Sequence, residues 1–220
     1  MMMSIITKCK PKGRWGEVMP RITKEDKARN RRNIVDAAGR MFRSHGIDAV
    51  GIAELMKEAG LTHGGFYNHF ASKDALVVEV CNASFAASLG VLAEAVEQGS
   101  DSAGSPLERV VADYLSTVHR DAEDGGCPSA SLVTDAGRQS QHVQAAYTKG
   151  VEGYLAGFAS EIVRAAEESG QPIGPSEARE RATRLLSELV GAMVLARAVR
   201  KVRPDLSEEI LQTVRSHALD

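Results

Sequence analysis

The stretch from Gly60 to Leu76 limits the fold of this chain more than any other part of the sequence. Gly60 ends a short helical run, because glycine readily adopts the left-handed conformation that closes a helix. Thr62 follows at a position suited to capping the start of another helix. The pattern therefore predicts a helix, a tight turn and a second short helix, which is the layout of a helix-turn-helix.

The second helix of this pair has one apolar and one polar face. Phe66 and Phe70 are four residues apart, so they are expected to point inward together. The outward positions carry small, polar or basic residues, a surface that the major groove of DNA accepts. These outward residues are Thr62, His63, Gly64, Tyr67, Asn68 and Lys73.

From Gly60 the sequence reads Gly-Leu-Thr-His-Gly-Gly-Phe-Tyr-Asn-His-Phe-Ala-Ser-Lys-Asp-Ala-Leu. This segment resembles the signature of the TetR family of bacterial transcriptional repressors, and the resemblance extends over about residues 24–80. The remaining residues are similar to that family only in length and helical character. The resemblance implies a DNA-binding regulator with about nine helices.

The same resemblance divides the residues of the second helix and its surroundings into two groups. The residues where relatives touch base edges are His63, Gly64 and Tyr67. The residues where relatives touch phosphates are Thr62, Gly65, Asn68, His69 and Lys73. For His69, a buried role with a hydrogen bond between helices is the alternative.

Two positions depart from the family pattern. Gly51 stands at the start of the preceding helix, where relatives carry Thr or Ser; its backbone remains available to a phosphate, but the hydroxyl is absent. Met56 stands where a small Ala is usual, at a close helix crossing, although a Met side chain is flexible enough to adapt. These departures affect individual contacts rather than the motif.

A chain of 220 residues suits one small and one larger domain. The sequence predicts an all-α fold of about nine helices. We expect a flexible N-terminal extension at 1–19, a three-helix helix-turn-helix domain at 20–75, and a larger ligand-binding and dimerisation domain at 76–220. The basic residues of the extension would either form an arm that touches DNA or remain a solvated tail.

Capping patterns place the helix boundaries. Thr23 with Asp26 predicts the start of the first helix, and Ser105 with Glu108 predicts the start of a later one. A long helix is expected from Ser72 to about Gln98, crossing from the small domain into the large one. The later helices are expected over about 105–123, 127–138, 140–169, 176–202 and 206–217, the last one capped by Asp205.

The net charge of −2 hides an uneven distribution along the chain. Residues 1–75 contain fourteen Lys or Arg against eight Asp or Glu, and the later residues contain thirteen against twenty-one. A basic N-terminal third on an acidic body is typical of a protein that binds an anionic polymer. A chance fluctuation in charge is the alternative.

Several other classes of protein are disfavoured. The three cysteines, Cys9, Cys81 and Cys127, are widely spaced and form neither a disulfide framework nor a zinc pattern, which favours a reducing cytoplasm. No nucleophile motif, phosphate loop or His–Glu ligand spacing indicates an enzyme, a metal site or a cofactor. We expect no signal peptide and no apolar run near the roughly 18 residues that span a membrane.

The larger domain is expected to hold a mainly apolar effector site, suited to a small, fairly hydrophobic ligand. Its candidate lining residues, most of which are as well explained as ordinary core, are Phe85, Leu89, Tyr114, Val118, His119, Leu132, Tyr147, Tyr154, Phe158 and Met193. Cys127 lies at a predicted helix start, where a thiol is activated. It is either a redox or electrophile sensor or a small buried residue.

The resemblance also implies a homodimer held by the two C-terminal helices. One short helix contacts too few bases for specific binding, so two copies would bind a near-palindromic operator. The ligand would favour a dimer whose helices no longer fit successive grooves. An activator or an architectural DNA-binding protein is the alternative to a repressor.

Overall fold

A computed structural model describes residues 23–99, 104–122 and 126–220, and its elements in these ranges are all helices. The expected all-α class is therefore confirmed. Residues 1–22, which include the expected extension at 1–19 and Cys9, lie outside the described residues, as do 100–103 and 123–125. The elements are α1 (Lys24–His45), α2 (Ile52–Glu58), a 3₁₀ helix (His63–Asn68), α3 (Lys73–Gln98), α4 (Pro106–Tyr114), α5 (Thr117–Asp121), α6 (Pro128–Ser131), α7 (Val133–Ala136), α8 (Gln141–Glu168), α9 (Pro175–Val199) and α10 (Pro204–His217).

The described residues form ten α-helices and one 3₁₀ helix rather than about nine helices. The reason is that two of the expected helices are each divided. After α4, the hydroxyl of Ser116 accepts the N–H of His119 at 3.1 Å and starts a new helix. The expected helix over 127–138 is interrupted at Leu132, which separates α6 from α7.

The start of the last helix also differs from the expectation. Asp205 lies inside the first turn of α10 and not at its cap, which is Arg203. Pro204 occupies the first helical position, where its missing N–H costs no hydrogen bond. The Asp205 carboxylate instead pairs with the side chain of Arg203 at 2.7 Å.

Thr62 occupies the expected cap position of the 3₁₀ helix but makes no side-chain capping hydrogen bond, whereas the following caps match the sequence. The hydroxyl of Thr23 accepts the N–H of Asp26 at 3.0 Å, and Ser105 accepts the N–H of Glu108 at 3.2 Å. In each case the carboxylate of the acidic residue also accepts a hydrogen bond from the backbone N–H of the cap residue, which completes a capping box. Gly60 has a φ of 71°, as a residue that closes a helix in the left-handed region should.

The apolar residues form two cores. The N-terminal core is built from α1, α2, the 3₁₀ helix and the start of α3, and Leu132, Val143 and Ala146 join it from later in the chain. The C-terminal core is built from the rest of α3 together with α4, α8, α9 and α10. Helix α3 belongs to both cores, because Cys81 lies in the first and Phe85 in the second.

Helices α3 and α8 approach closely because three glycines of α8 face three large side chains of α3. A Cβ atom on Gly150 would overlap the ring of Phe85. A Cβ atom on Gly153 would lie 2.7 Å from Leu89, and one on Gly157 would lie 2.7 Å from Leu92. The absence of side chains at these glycines therefore sets the distance between the two helices.

Helix α3 corrects one further expectation. It contains an 18-residue window of mean hydropathy 1.8, so by length and composition alone it could cross a membrane. The apolar residues responsible include Leu76, Val77 and Val80, which are buried in the N-terminal core. A core helix of this kind meets the same criteria as a membrane span.

Candidate nucleic-acid interface and internal cavity

The 3₁₀ helix His63–Asn68, which we call the reading helix, follows α2 after a tight turn. Its inner face carries Phe66, which with Phe70 is buried in the N-terminal core, the two rings stacked with centroids 5.7 Å apart. The helix begins with a hydrogen bond from Gly65 N–H to the Thr62 carbonyl, at 2.9 Å. The two adjacent glycines disfavour regular α-helix here, which accounts for the tighter 3₁₀ form.

The outer face of the reading helix is turned away from both cores. The side chain of Tyr67 is 67% exposed, and its ring meets the edge of Phe66 with centroids 5.3 Å apart. The exposed residues expected to touch DNA are Gly51, Thr62, His63, Gly64, Tyr67 and Asn68. The half-buried ones are Gly65, His69 and Lys73. Their placement leaves a continuous outer surface of polar groups and one aromatic hydroxyl.

Met56 packs at the close helix crossing in ordinary van der Waals contact with the Gly65 position of the reading helix. The Met56 side chain is fully buried, and its methyl carbon lies 3.6 Å from where a Cβ atom on Gly65 would stand. No atom lies within 4 Å of the corresponding position on Gly64, so that side of the backbone is open to a partner. The bulky Met56 is thus accommodated without displacing the reading helix.

Arg31 of α1 holds the end of the reading helix in place, a role that sequence reasoning missed. Its guanidinium lies 4.1 Å from the centroid of the Phe70 ring and donates to the carbonyl of His69. It also pairs with Glu79 of α3, with Nε 3.0 Å from Oε1. Arg31 and Glu79 are 48 residues apart, so no local pattern in the sequence could have joined them.

His69 lies beside this contact. Its Nδ1 atom is buried and has no hydrogen-bond partner among the described residues. Burial lowers the pKa of His69 below the ordinary value of 6.5, and the charges of Lys27 and Arg31 lower it further. A phosphate anion placed here would meet two cations and an imidazole that lacks a partner.

A cavity of about 470 Å³ lies in the larger part of the molecule, between α3, α4, α8 and α9. Most of the cavity surface is apolar, and four polar residues in contact with one another form what we call its inner end: Tyr114, His119, Cys127 and Tyr154. Its lining residues on α3 share one helix face: Ser88, Val91, Leu92, Ala95 and Gln98, with Glu94 beside them. The rest of the lining is Arg109, Val110, Asp113, Tyr114, His119, Cys127, Tyr154, Phe158, Leu186 and Leu189.

Four of the ten residues expected to line an effector site reach this cavity, and so does Cys127. Those four are Tyr114, His119, Tyr154 and Phe158. The other six do not line it: Phe85, Leu89, Val118, Leu132, Tyr147 and Met193. Helical periodicity identified them as apolar but could not say which helix each would face.

The reasons for their placement differ. Val118 is 80% exposed, because the short helix α5 turns this side chain outward. Leu132 is buried in the N-terminal core, and Met193 in the C-terminal core. Tyr147 donates its hydroxyl hydrogen to the carbonyl of Ser129 at 2.9 Å, so this side chain ties α8 to α6.

His119 is held in one tautomer at the inner end of the cavity. The N–H of Cys127 can only donate, so Nε2 of His119, 3.1 Å away, must accept. The carbonyl of Tyr114 can only accept, so Nδ1, 2.7 Å away, must carry the proton. Burial lowers the pKa of His119, and this neutral imidazole joins the end of α4 to the start of α6.

Cys127 lies beside His119 as the cap residue of α6, which has only four residues. The thiol is buried, with Sγ 3.3 Å from the hydroxyl of Tyr154. The hydroxyl of Tyr114 is also buried, and it has no hydrogen-bond partner of acceptable geometry among the described residues. Burial is the main reason that the pKa of Tyr114 lies well above its usual value.

The segment that follows Cys127 connects the cavity with the N-terminal core. The carboxylate of Asp135 accepts the N–H of Ile47 at 2.9 Å, in the turn between α1 and α2. Gln139 donates to Asp48 of the same turn at 2.9 Å. Ser140 donates to Asp74 at the start of α3, also at 2.9 Å. Residues 127–140, which we call the connecting segment, thus touch both the cavity and the helix-turn-helix.

The two C-terminal helices pack against each other and keep some apolar residues outside. Leu185, Met193 and Leu211 are buried in the C-terminal core. In contrast, Leu195 of α9 is 57% exposed, and Val202, after the end of α9, is 84% exposed. One face of this pair therefore completes the core of the chain, and another remains uncovered.

No group of three or more His, Cys, Asp or Glu residues that could hold a metal ion occurs among residues 23–99, 104–122 and 126–220.

The chain is similar in sequence to known bacterial regulatory proteins. Residues 34–80 match the model of the bacterial regulatory proteins, tetR family. The HTH-type transcriptional repressor NemR of Escherichia coli (strain K12) is 27% identical over 129 residues, which are 57% of this chain and 63% of NemR. The HTH-type transcriptional regulator AcrR of Shigella flexneri is 37% identical over 62 residues, 28% of this chain and 29% of AcrR. The chain thus spans less than two thirds of the length of either relative.

Structural similarity to solved proteins extends over most of the chain. Reduced Escherichia coli NemR superposes with a TM-score of 0.70 at 21% identity, covering 86% of this chain and 95% of NemR. FadR of Bacillus subtilis, in complex with stearoyl-CoA, superposes with a TM-score of 0.60 at 16% identity, covering 86% of this chain and 95% of FadR. At these identities the likeness concerns the fold.

Proposed function

We propose that this chain, whose residues 34–80 match the model of the bacterial regulatory proteins, tetR family, belongs to that family and is a DNA-binding transcriptional repressor. It acts in the cytoplasm as a homodimer on a near-palindromic operator, and a small, fairly hydrophobic effector releases it. The observation that carries the proposal is the reading helix, whose apolar side is sealed by Phe66 while its polar side is exposed.

The exposed groups support distinct roles at the DNA. His63, Gly64 and Tyr67 stand on the outer face, where side chains and open backbone reach base edges in the major groove. Lys73, at the first position of α3, meets a phosphate as a point charge. The remaining phosphate contacts are assigned to Gly51, Thr62, Gly65, Asn68 and His69.

Selection of bound duplexes from a random pool, at near-physiological salt, tests the proposal. We expect a near-palindromic site to be enriched. His63→Ala and Tyr67→Ala should each weaken binding to that site by about 1–3 kcal/mol and relax its sequence preference. Lys73→Ala should weaken all duplexes alike and reduce the slope of log K against log salt by about one unit.

Recovery of no preferred sequence, with only salt-sensitive binding, would contradict specific recognition and favour an architectural protein. The position of a recovered site relative to a promoter then separates repression from activation. Sedimentation of the complex tests the dimer: two chains for each site are expected, and one chain would contradict it. Leu195 and Val202 are exposed apolar residues, which supports the proposal that α9 and the residues after it form part of the contact between the two copies.

The connecting segment supports a route from effector to DNA. Cys127 lines the cavity at one end of this segment, and Asp135 holds the turn between α1 and α2 at the other. An effector that shifts the start of α6 would move the helix-turn-helix through this attachment. In a dimer, a small shift of each copy changes the spacing of the two reading helices, which lowers affinity for the operator.

A redox- or electrophile-sensing repressor that acts through Cys127 is the second candidate. The thiol lines the cavity beside the Tyr154 hydroxyl, and the NemR structure with the same fold is described as a reduced form. If Cys127 is the sensor, Cys127→Ser should keep operator binding but lose release by peroxide or by a quinone. Release that persists in this variant would exclude the thiol mechanism and leave reversible effector binding.

A further inference from the structure

We propose that the cavity binds an uncharged ring compound with a single hydrogen-bond-accepting oxygen, such as an aromatic ketone, and that the Tyr114 hydroxyl donates to this oxygen. The inference rests on the proposed function, because it takes this cavity as the effector site. It adds the chemical class of the effector and the residue that selects it.

Tyr114 is the polar group at the inner end of the cavity that lacks a partner. Both nitrogens of His119 are engaged, and the Tyr154 hydroxyl is 3.3 Å from Cys127 Sγ. The Tyr114 hydroxyl is buried beside the Cys127 thiol, a weak partner, and no described residue meets it with good hydrogen-bond geometry, although its side chain lines the cavity. A buried hydroxyl without a partner is unfavourable, so a ligand oxygen that reaches this end gains a hydrogen bond that the protein does not otherwise satisfy.

The protonation state of Tyr114 leaves its hydroxyl able to donate to such an oxygen. Burial, reinforced by the neighbouring Cys127 thiol, raises the pKa of Tyr114 well above its ordinary value. The hydroxyl therefore keeps its proton at physiological pH and serves as a donor. A ketone or quinone oxygen is the matching acceptor.

The charges around the cavity disfavour an anion. Glu94 and Asp113 lie on its lining and are exposed. The cation among the lining residues is Arg109, whose guanidinium donates to the carbonyl of Gly104 at 2.8 Å and of Ala95 at 3.0 Å. The charged lining residues are therefore this one guanidinium, held against carbonyls at the end of α3, and two carboxylates, and their net charge of −1 disfavours a carboxylate or phosphate in the cavity.

The body of the cavity is suited to rings. Leu92, Phe158 and Leu189 are buried apolar residues of its wall, and the volume of about 470 Å³ lies in the range of small-molecule sites. A fatty acyl-CoA, the ligand in the FadR complex, carries phosphates that the two carboxylates would repel. The cavity therefore favours a compact, uncharged ligand over that class.

The proposal is tested with three probes that share one ring system and differ in the polar group attached to it. They are 2-acetylnaphthalene (a ketone), 2-ethylnaphthalene (without oxygen) and 2-naphthoate (an anion). Binding to the full chain is measured by equilibrium dialysis without DNA, for the wild type and for Tyr114→Phe, which removes only the hydroxyl. Far-UV circular dichroism and the melting temperature of each variant check that it is folded.

We expect the ketone to bind wild type more tightly than either other probe. Tyr114→Phe should weaken the ketone by about 3- to 10-fold, as loss of one hydrogen bond predicts, and leave 2-ethylnaphthalene unchanged. Asp113→Asn with Glu94→Gln should tighten 2-naphthoate by a larger factor than it changes the affinity for the ketone. Equal losses for both neutral probes, tighter binding of the anion to wild type, or no binding of the ketone would overturn the proposal.

Failure of this inference and failure of the proposed function give different results. If the protein selects a DNA site but the ketone does not bind, the DNA-binding function stands and the ligand class is wrong. If the ketone binds as expected but no duplex is enriched, the cavity has the proposed chemistry and the repressor function is wrong. In a variant such as Tyr114→Phe that still binds DNA, release by the ketone should require a proportionally higher concentration.

Discussion

The helix-turn-helix and the cavity place their polar groups in opposite ways. Around the reading helix, Phe66 is sealed inside and polar groups such as His63 face outward, ready for a rigid partner. At the inner end of the cavity the polar groups of Tyr114 and Cys127 are instead buried. A surface that reads DNA is built from one continuous stretch of sequence, whereas a cavity is enclosed by helices far apart in sequence. The two regions should therefore respond differently to the same kind of substitution.

The largest expected effect is that of Phe66→Ala. Phe66 is fully buried beneath the reading helix, so its removal leaves a sealed void and should lower the free energy of unfolding by about 4 kcal/mol. Phe158→Ala should cost clearly less, because Phe158 borders a cavity that already exists. Urea titration of both variants measures the difference. Equal losses would show that the region around the cavity is packed as tightly as the N-terminal core.

This difference also explains which structural features could be predicted from the sequence alone. The inward position of Phe66 and Phe70, the closing role of Gly60 and the capping by Thr23 depend on neighbours within a few residues, so local patterns predict them. The pair of Arg31 with Glu79 and the position of Val118 depend on how whole helices are arranged. Periodicity tells which face of a helix is apolar but not which other helix covers that face.

The next effect concerns the contact between α3 and α8, which forms one side of the cavity region. In Gly150→Ala the new methyl group would overlap the ring of Phe85, so the helices must separate, at a cost of about 3 kcal/mol. Gly90→Ala is the matched control on α3, because no atom lies within 4 Å of its added Cβ. This control should stabilise the protein by up to about 1 kcal/mol through helix propensity.

Thermal melting of both glycine variants tests this contrast. Opposite signs of the two changes in melting temperature would confirm that close approach, and not helix propensity, explains Gly150. A stabilised Gly150→Ala would show that α3 and α8 lie farther apart than described. The comparison matters for the cavity, since Leu92 of α3 and Phe158 of α8 both line it.

Asp135 connects the two regions, so its substitution tests whether they are coupled. Asp135→Ala leaves the N–H of Ile47 without its acceptor in a buried turn and should destabilise the protein by about 2 kcal/mol. Asp135 does not line the cavity, so ligand affinity in the absence of DNA should not change. The shift in operator affinity caused by a ligand should become smaller.

The control for this prediction is Asp135→Asn, which keeps an oxygen acceptor and loses the charge. It should retain most of the stability and most of the response to ligand. If Asp135→Ala responds to ligand as strongly as wild type, the connecting segment does not transmit the signal. The route would then have to run through α3, which belongs to both cores.

The smallest expected effect is the pH dependence contributed by two histidines, one in each region. Burial is the first cause that lowers the pKa of both His69 and His119 below 6.5. The unfolded state therefore binds protons first as the pH falls, so stability is fully present above pH 6.5 and declines from there toward the folded pKa values. His119→Gln, which does not titrate, should show a shallower loss of melting temperature between pH 7.5 and 5.5 than wild type.

Binding of operator DNA should change the pKa of one of these histidines and not that of the other. A phosphate beside His69 would oppose the charges of Lys27 and Arg31 and raise the pKa of His69, which NMR titration of the imidazole protons measures. His119, whose two nitrogens are engaged inside the protein, should keep its pKa when DNA binds. If both values rise together, operator binding rearranges the cavity as well as the reading surface. If neither rises, His69 has the buried structural role, and the phosphate contact must come from its neighbours.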